Sequence, residues 1–170
     1  EFYVYFYQAF IEGDRWMQYL KGVGTTLIVT ALALIIGIAL GVLVAIVRTA
    51  HDQQRPGNHN FLLGIVNAIC KVYVTIIRGT PMMVQLLIMG FVIFKSSRNF
   101  TYVGALTLGI NSGAYVAEII RGGLMSLDPG QAEAGRSLGL NYFDTMRFIV
   151  VPQAFKAILP ALGNEFIILL

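Results

Sequence analysis

The chain is poor in nearly everything that catalysis and metal binding draw on. One cysteine, Cys70, in 170 residues excludes an internal disulfide. The two histidines, His51 and His59, stand in a polar loop without a cluster of further ligands, so the sequence offers no metal site. A Gly-x-x-x-x-Gly-Lys-Ser/Thr loop is absent, so the chain itself is expected neither to bind nor to hydrolyse ATP. Neither a nucleophile elbow nor a His-Glu metal motif appears, which argues against an enzyme. Charge is scarce too. Lys, Arg, Asp and Glu make up 12% of residues, and a dispersed net charge of +3 is too small to call for nucleic acid.

What is there is apolar. Hydrophobic residues make up 56% of the chain and mean hydropathy is +0.71, more apolar surface than a soluble domain of this size can hide. The expected solvent is lipid, and the expected class is an all-α membrane protein forming one transmembrane domain over 1–170. Gly22 to Val47 carries no charge and is long enough to cross a hydrocarbon core of about 30 Å, giving span 1 over 22–47. Phe61 to Ile77 carries Asn67 and Lys71, and Arg78-Gly79-Thr80-Pro81 interrupts the run before Met82. This suggests a lead-in helix over 61–75 and span 2 over 76–94. Span 3 is expected over 101–120. Residues 155–170 begin span 4, and the sequence stops inside that run. With a first residue other than Met, this suggests a piece of a longer chain.

Segment 1–21 is crowded with aromatics, among them Phe2, Tyr3, Tyr5, Phe6, Tyr7, Phe10, Trp16 and Tyr19. Such rings collect at the membrane–water boundary, and Glu12, Asp14 and Arg15 oppose deep insertion, so an interfacial helix is expected. Small residues recur every fourth position in span 1 (Ala33, Gly37, Gly41, Ala45) and span 3 (Ala105, Gly109, Gly113, Ala117). They let helix backbones approach closely in lipid, with a partner in this chain or in another. Cations then set orientation. Arg48, Arg55, Arg121, Arg136, Arg147 and Lys156 fall on one side. Arg15, Lys21, Lys95 and Arg98, partly offset by Glu1, Glu12 and Asp14, fall on the other. The positive-inside rule puts the first group in the cytoplasm and the N-terminus outside.

Between spans 3 and 4 lies a charged stretch, 128–152, with strong helix punctuation. Asp128 suits an N-cap, Pro129 the first helical position, and Gln131 the reciprocal position of a capping box. Gly139 suits a left-handed closing residue, leaving a helix of about ten residues. Asn141 can cap a second helix with Asp144 in its first turn, and Pro152 is expected to interrupt it. Gly130, Ala132, Ala134 and Gly135 keep one side of the first helix low enough for another protein to approach. Read from the caps alone, the same stretch is an ordinary surface loop.

The spacing of Glu133-Ala134-Gly135, Gly139 and Ile149-Val150-Val151-Pro152 resembles the EAA motif, EAA-x3-G-x9-I-x-L-P, of permease subunits of bacterial ATP-binding-cassette importers. Gly135 stands where that motif has its second Ala, and Val151 where it has Leu. Arg78-Gly79-Thr80-Pro81, Ala114 to Glu118 with Arg121-Gly122-Gly123, and Asn164-Glu165-Phe166 look like the polar amino-acid uptake family, whose members include histidine, glutamine and arginine permeases. The likeness covers Gly22 to Leu170. It implies a type I importer permease whose coupling segment, through Gly130, Gln131, Glu133, Ala134, Gly135, Gly139 and Pro152, meets a cytoplasmic ATPase. It also implies a second permease chain, identical or not, an extracytoplasmic substrate-binding protein, and a further helix after the fourth. The bacterial cell membrane is the implied location. No cofactor is expected in this chain, ATP and Mg belonging to the partner.

Polar residues at membrane depth mark the candidate path, because they are costly against lipid. Arg78, Gln85, Asn111, Ser112, Tyr115 and Glu118 lie in or beside spans 2 and 3, and Asn164 and Glu165 in span 4. Gly79, Thr80 and Pro81 add a point where a helix can open and free its backbone groups. Arg78 and Glu118 suit a gating or packing pair, since their spans run antiparallel. Gln85, Asn111, Ser112 and Tyr115 fit path lining and helix-to-helix bonding equally well. The expected function is the translocation subunit of an ATP-driven amino-acid importer. A non-transporting scaffold and a channel are the alternatives, and no ring of like charge supports the channel.

Overall fold

The computed structural model describes residues 2–54 and 60–170. Glu1, Arg55 and His59, used above for charge and metal ligation, lie outside the described residues. Among those described, every regular element is helical. Four helical stretches are long and apolar enough to cross a membrane: Phe2–Asp52, Phe61–Gly79, Phe100–Met125 and Tyr142–Leu169.

The aromatic N-terminus does not run straight into the first span. Helix α1 (Phe2–Phe6) and a π turn (Tyr7–Ile11) end at Gly13 and Asp14, both left-handed at φ 65° and 54°. The long helix α2 (Arg15–Asp52) begins there. Arg15 donates back to the Gln8 carbonyl at 2.7 Å, and the Phe10 and Tyr19 rings sit 5.2 Å apart, so the aromatic stretch folds against the start of α2.

α2 and α5 (Phe100–Met125) form the spine. Their small residues face each other in parallel register: Gly109 meets Ile36, Gly37 meets Ser112, and Gly41 meets Val116. A Cβ built on Gly41 would lie 2.5 Å from Val116 Cγ1, and one on Gly37 2.8 Å from Ser112 Oγ. The two stripes therefore pack on one another within this chain. That settles the partner question which spacing alone left open.

α3 (Phe61–Gly79) starts beside the end of α2, Phe61 and His51 lining one shared hollow, and returns along the spine. Val74 is buried on Ala114 and Ala117, while the Tyr73 hydroxyl donates to the Ile110 carbonyl at 2.6 Å. The helix boundary expected between Thr75 and Ile76 is not there. The break comes at Thr80–Pro81, opposite the midpoint of α5, and α4 (Met82–Leu87) follows with a π turn, Ile88–Ile93. Proline offers no N–H to continue α3 and drives Thr80 into the extended region, at φ −114° and ψ 141°.

After α5 come α6 (Pro129–Ser137), α7 (Tyr142–Thr145), a π turn (Met146–Val150) and α8 (Val151–Leu169). α8 runs back along the spine: Ile158 packs on Gly123, and the buried Thr30 hydroxyl donates to the Leu169 carbonyl at 3.0 Å. Pro152 does not interrupt the second motif helix, which continues from Tyr142 to Leu169. The π turn just ahead of it, Met146–Val150, absorbs the misfit.

Candidate functional site

The break in α3–α4 opens a cavity of about 440 Å³ against α5 and α8. Arg78, Gly79, Thr80 and Pro81 form its wall on the break, with Met82 beside them; Asn111 and Tyr115 come from α5, Glu165 and Ile168 from α8. Seven of the sequence candidates thus share one hollow. Arg78 lies over the Tyr115 ring at 5.2 Å. Glu165 is only 6% exposed and, among the described residues, has no ion-pair partner. A carboxylate in that position is costly unless a cation or several donors meet it.

Four candidates, Gln85, Ser112, Asn164 and Glu118, lie elsewhere. Gln85 holds the break together: its Nε2 donates to the Ile77 carbonyl at 2.8 Å and the Thr80 hydroxyl at 2.7 Å. Its Oε1 accepts from Asn111 Nδ2 at 3.1 Å. It serves the backbone that Pro81 frees, and borders a separate apolar hollow with Ile76, Val84, Met89 and Thr107. Ser112 is fully buried between α2 and α5, its hydroxyl against Gly37 and without a hydrogen-bond partner. Its small size, not its polarity, explains its place there. Asn164 is exposed and outside the cavity, because successive helix residues point about 100° apart and Glu165 takes the inward direction.

Below the cavity, Glu118 is the hub of an ionic cluster. The expected partner Arg78 stands 3.8 Å away, but Arg48 of α2 makes the hydrogen-bonded contact. Arg121 lies at 3.8 Å, one turn on, and pairs with Asp52 at 3.2 Å. Three arginines thus share one carboxylate. Arg48, counted from sequence only as a loop cation, is the member of this cluster that the sequence reading did not place beside Glu118. A signal for it existed. Aligning the two small-residue stripes in parallel puts Ala45 level with the last turns of α5, and so Arg48 within reach of Glu118.

In the motif segment, Asp128 Oδ1 accepts from the Gly130 N–H at 2.8 Å, and Gly139 takes φ 81°. The Gly139 N–H reaches the Arg136 carbonyl at 3.0 Å and the Leu140 N–H reaches that of Gly135 at 3.1 Å, the double bond pattern of a Schellman ending. Asn141 caps α7 by accepting from the Asp144 N–H at 2.9 Å. Gln131 does not complete a capping box; its Oε1 instead accepts from Gln153 at 3.0 Å. Gly135 is buried inside the segment, where a Cβ would lie 2.9 Å from both Ile149 Cδ1 and Thr145 Cγ2. It therefore serves packing of α6 on the following helix. The face left open carries Gly130, Glu133, Ala134 and Leu138, with Tyr142 and Phe143 beyond the turn.

Residues 57–170 match the family described as binding-protein-dependent transport system inner membrane component. The chain belongs to this family. It is 37% identical over 153 residues to the glutamine transport system permease protein of Escherichia coli strain K12, covering 88% of this chain and 65% of that protein. To the arginine transport system permease protein of Corynebacterium glutamicum it is 33% identical over 160 residues, covering 85% of this chain and 47% of that protein. A solved structure described as an amino acid ABC transporter with histidines superposes with a TM-score of 0.71 at 38% identity, covering 89% of this chain and 70% of that one. The chain thus spans about two thirds of the glutamine permease it matches, or less than half of the arginine permease. The family consists of membrane transport components, not enzymes, and the apolar helices fit a multi-pass inner-membrane subunit.

Proposed function

We propose that the chain forms the translocation path of an ATP-driven amino-acid importer, with α6 and α7 facing cytoplasmic ATPase subunits and the N-terminus outside. Two permease chains enclose the path, and an extracytoplasmic binding protein delivers the solute. ATP and Mg are bound by the partner ATPase. Its closure pushes α6, and the push passes through Gly135 on Thr145 and Ile149 into α8, which carries Glu165. The relatives named for glutamine and arginine transport support the substrate class.

One observation carries this reading: the cavity at the helix break offers Arg78 and Glu165 as opposite charges, with Asn111 and Tyr115 between α3 and α8 as neutral partners. That set complements a zwitterion. The guanidinium suits a carboxylate, and the buried, unpaired Glu165 suits an ammonium group. A scaffold has no use for an uncompensated buried acid, and a channel has none for a site that holds its solute at both ends.

The test is reconstitution of the full-length permease with its ATPase and binding protein in vesicles. Uptake of a labelled amino acid that stops when hydrolysis is blocked is the expected result. Uptake that runs down its gradient without ATP would convert the reading to a channel, and absence of any uptake beside normal assembly would convert it to a scaffold.

A further inference from the structure

Among the described residues, Arg78 alone lines both the amino-acid cavity and a smaller hollow of about 210 Å³, which it shares with Arg48, Lys71, Thr75 and Glu118. We propose, on the amino-acid reading of the cavity, that Glu118 sets solute affinity by competing with the solute carboxylate for Arg78. Glu118 is then a positioning residue that stands outside the cavity and acts through Arg78. An occupied cavity, in turn, loosens the ionic cluster below it.

The two oxygens of Glu118 are held unequally. Arg48 makes its hydrogen-bonded contact with Oε1, and Arg121 lies 3.8 Å from the same atom. Among the described residues, Oε2 faces a cation only at Arg78, 3.8 Å away and beyond hydrogen-bond reach. Glu118 therefore keeps two arginines when Arg78 leaves, and Arg78 gives up no hydrogen bond to it. The Arg78 guanidinium already lies over the Tyr115 ring, which borders the cavity, and its side chain is 42% exposed. Gly79, beside it at the end of α3, would place a Cβ with nothing within 4 Å, so this last turn is uncrowded. A carboxylate in the cavity can accept two parallel N–H bonds from the guanidinium, a stronger contact than a distant ion pair. Linkage then runs both ways. What the solute takes from the attraction of Arg78 to Glu118, that attraction takes from solute binding.

The full-length permease with its ATPase, in nanodiscs without nucleotide, is equilibrated with a mixture of the common amino acids, and mass spectrometry identifies what is retained. Dissociation constants are then measured for the retained amino acid and for its carboxamide analogue. Glu118→Gln is expected to bind the amino acid about threefold more tightly than wild type, the worth of a half-exposed ion pair, and the carboxamide no more tightly. General damage does not raise affinity. Glu118→Gln combined with Arg48→Gln, which leaves no unpaired charge at Arg48, is expected to show the same gain and covers a loss of folding in the single variant. Arg78→Gln is expected to weaken binding about tenfold, and adding Glu118→Gln to it to change nothing further. Unchanged or weaker binding in the Glu118 variants overturns the competition and leaves the cavity reading intact, as does an equal gain for the carboxamide. Retention of no amino acid by wild type overturns the cavity reading and the competition with it.

Discussion

The two sides of α5 are built on opposite rules. Toward α2 it presents glycine, alanine and serine, and the helices close until no Cβ can be added. Toward α3, α4 and α8 it presents Asn111 and Tyr115 to a broken helix and an open cavity. In lipid, association rests on packing and not on exclusion of water, so the first side supplies rigidity. The second side accepts a helix break because Gln85 bonds the freed Ile77 carbonyl and links it to Asn111. Tight packing on one face is what lets the other face stay open.

Adding volume to the closed side is the strongest way to break this contrast. Gly41→Leu places its Cβ 2.5 Å from Val116 Cγ1 and 3.0 Å from the Ala117 backbone nitrogen, neither of which can retreat alone. It is expected to lower stability by about 3 kcal/mol or more, and to lose most folded protein on size-exclusion chromatography. Gly104→Ala, on the same α5 with nothing within 4 Å, is expected to be neutral or slightly stabilising. Equal losses in the two variants would remove the special status of the spine.

Next in size is the ionic hub. Glu118→Gln leaves Arg48, itself 14% exposed, without a negative charge to offset it, and is expected to cost about 2–3 kcal/mol in thermal unfolding. Arg78→Gln removes the 3.8 Å partner, which is 42% exposed, and is expected to cost less than half of that. Combining Glu118→Gln with Arg48→Gln is expected to recover part of the loss. Strict additivity in that cycle would show that the pair does not interact.

The motif segment gives smaller effects. Gly139→Val forces a β-branched residue to φ 81°, a strain of about 1–3 kcal/mol, and is expected to weaken co-purification of the ATPase while membrane insertion stays normal. Glu133→Lys, on the open face of α6, is expected to weaken the same docking with no change in stability. Gln131→Ala loses only the exposed bond to Gln153 and is expected to change stability by less than about 0.5 kcal/mol.

How far the sequence carried depended on whether the governing interaction was local. Asp128, Gly139 and Asn141 announce their caps because each acts within a few residues of itself. The small-residue stripes announce a close helix pair for the same reason, since fourfold spacing fixes a face. That the partner was in the same chain, and parallel, required the fold. Gln85 and Ser112 show the limit most clearly. Both are polar at membrane depth, yet one repairs a helix break and the other is merely small, and only their neighbours separate these roles from path lining. Pro152 misled because the π turn ahead of it takes up the misfit, whereas at Pro81 the helix stops beside the proline and the expected Thr75–Ile76 boundary fell a turn too early. Glu165 was legible as a costly acid. Its place opposite Arg78 was not, because α3 and α8 meet only through the folded spine.

The central claim is that the cavity between Arg78 and Glu165 receives the two charged groups of an amino acid, and it can be measured at Glu165 itself. Receptor-dependent uptake of labelled amino acids, a sugar and an inorganic ion is followed in vesicles holding the full-length permease with its ATPase, for wild type and Glu165→Gln. Wild type is expected to take up an amino acid over the sugar and the ion. Glu165→Gln is expected to need about tenfold more solute for half-maximal uptake, matching about 1.4 kcal/mol of lost charge-assisted bonding, with ATPase docking unchanged. Preference for the sugar or the ion, or an unaltered half-maximal concentration in Glu165→Gln, would contradict the account.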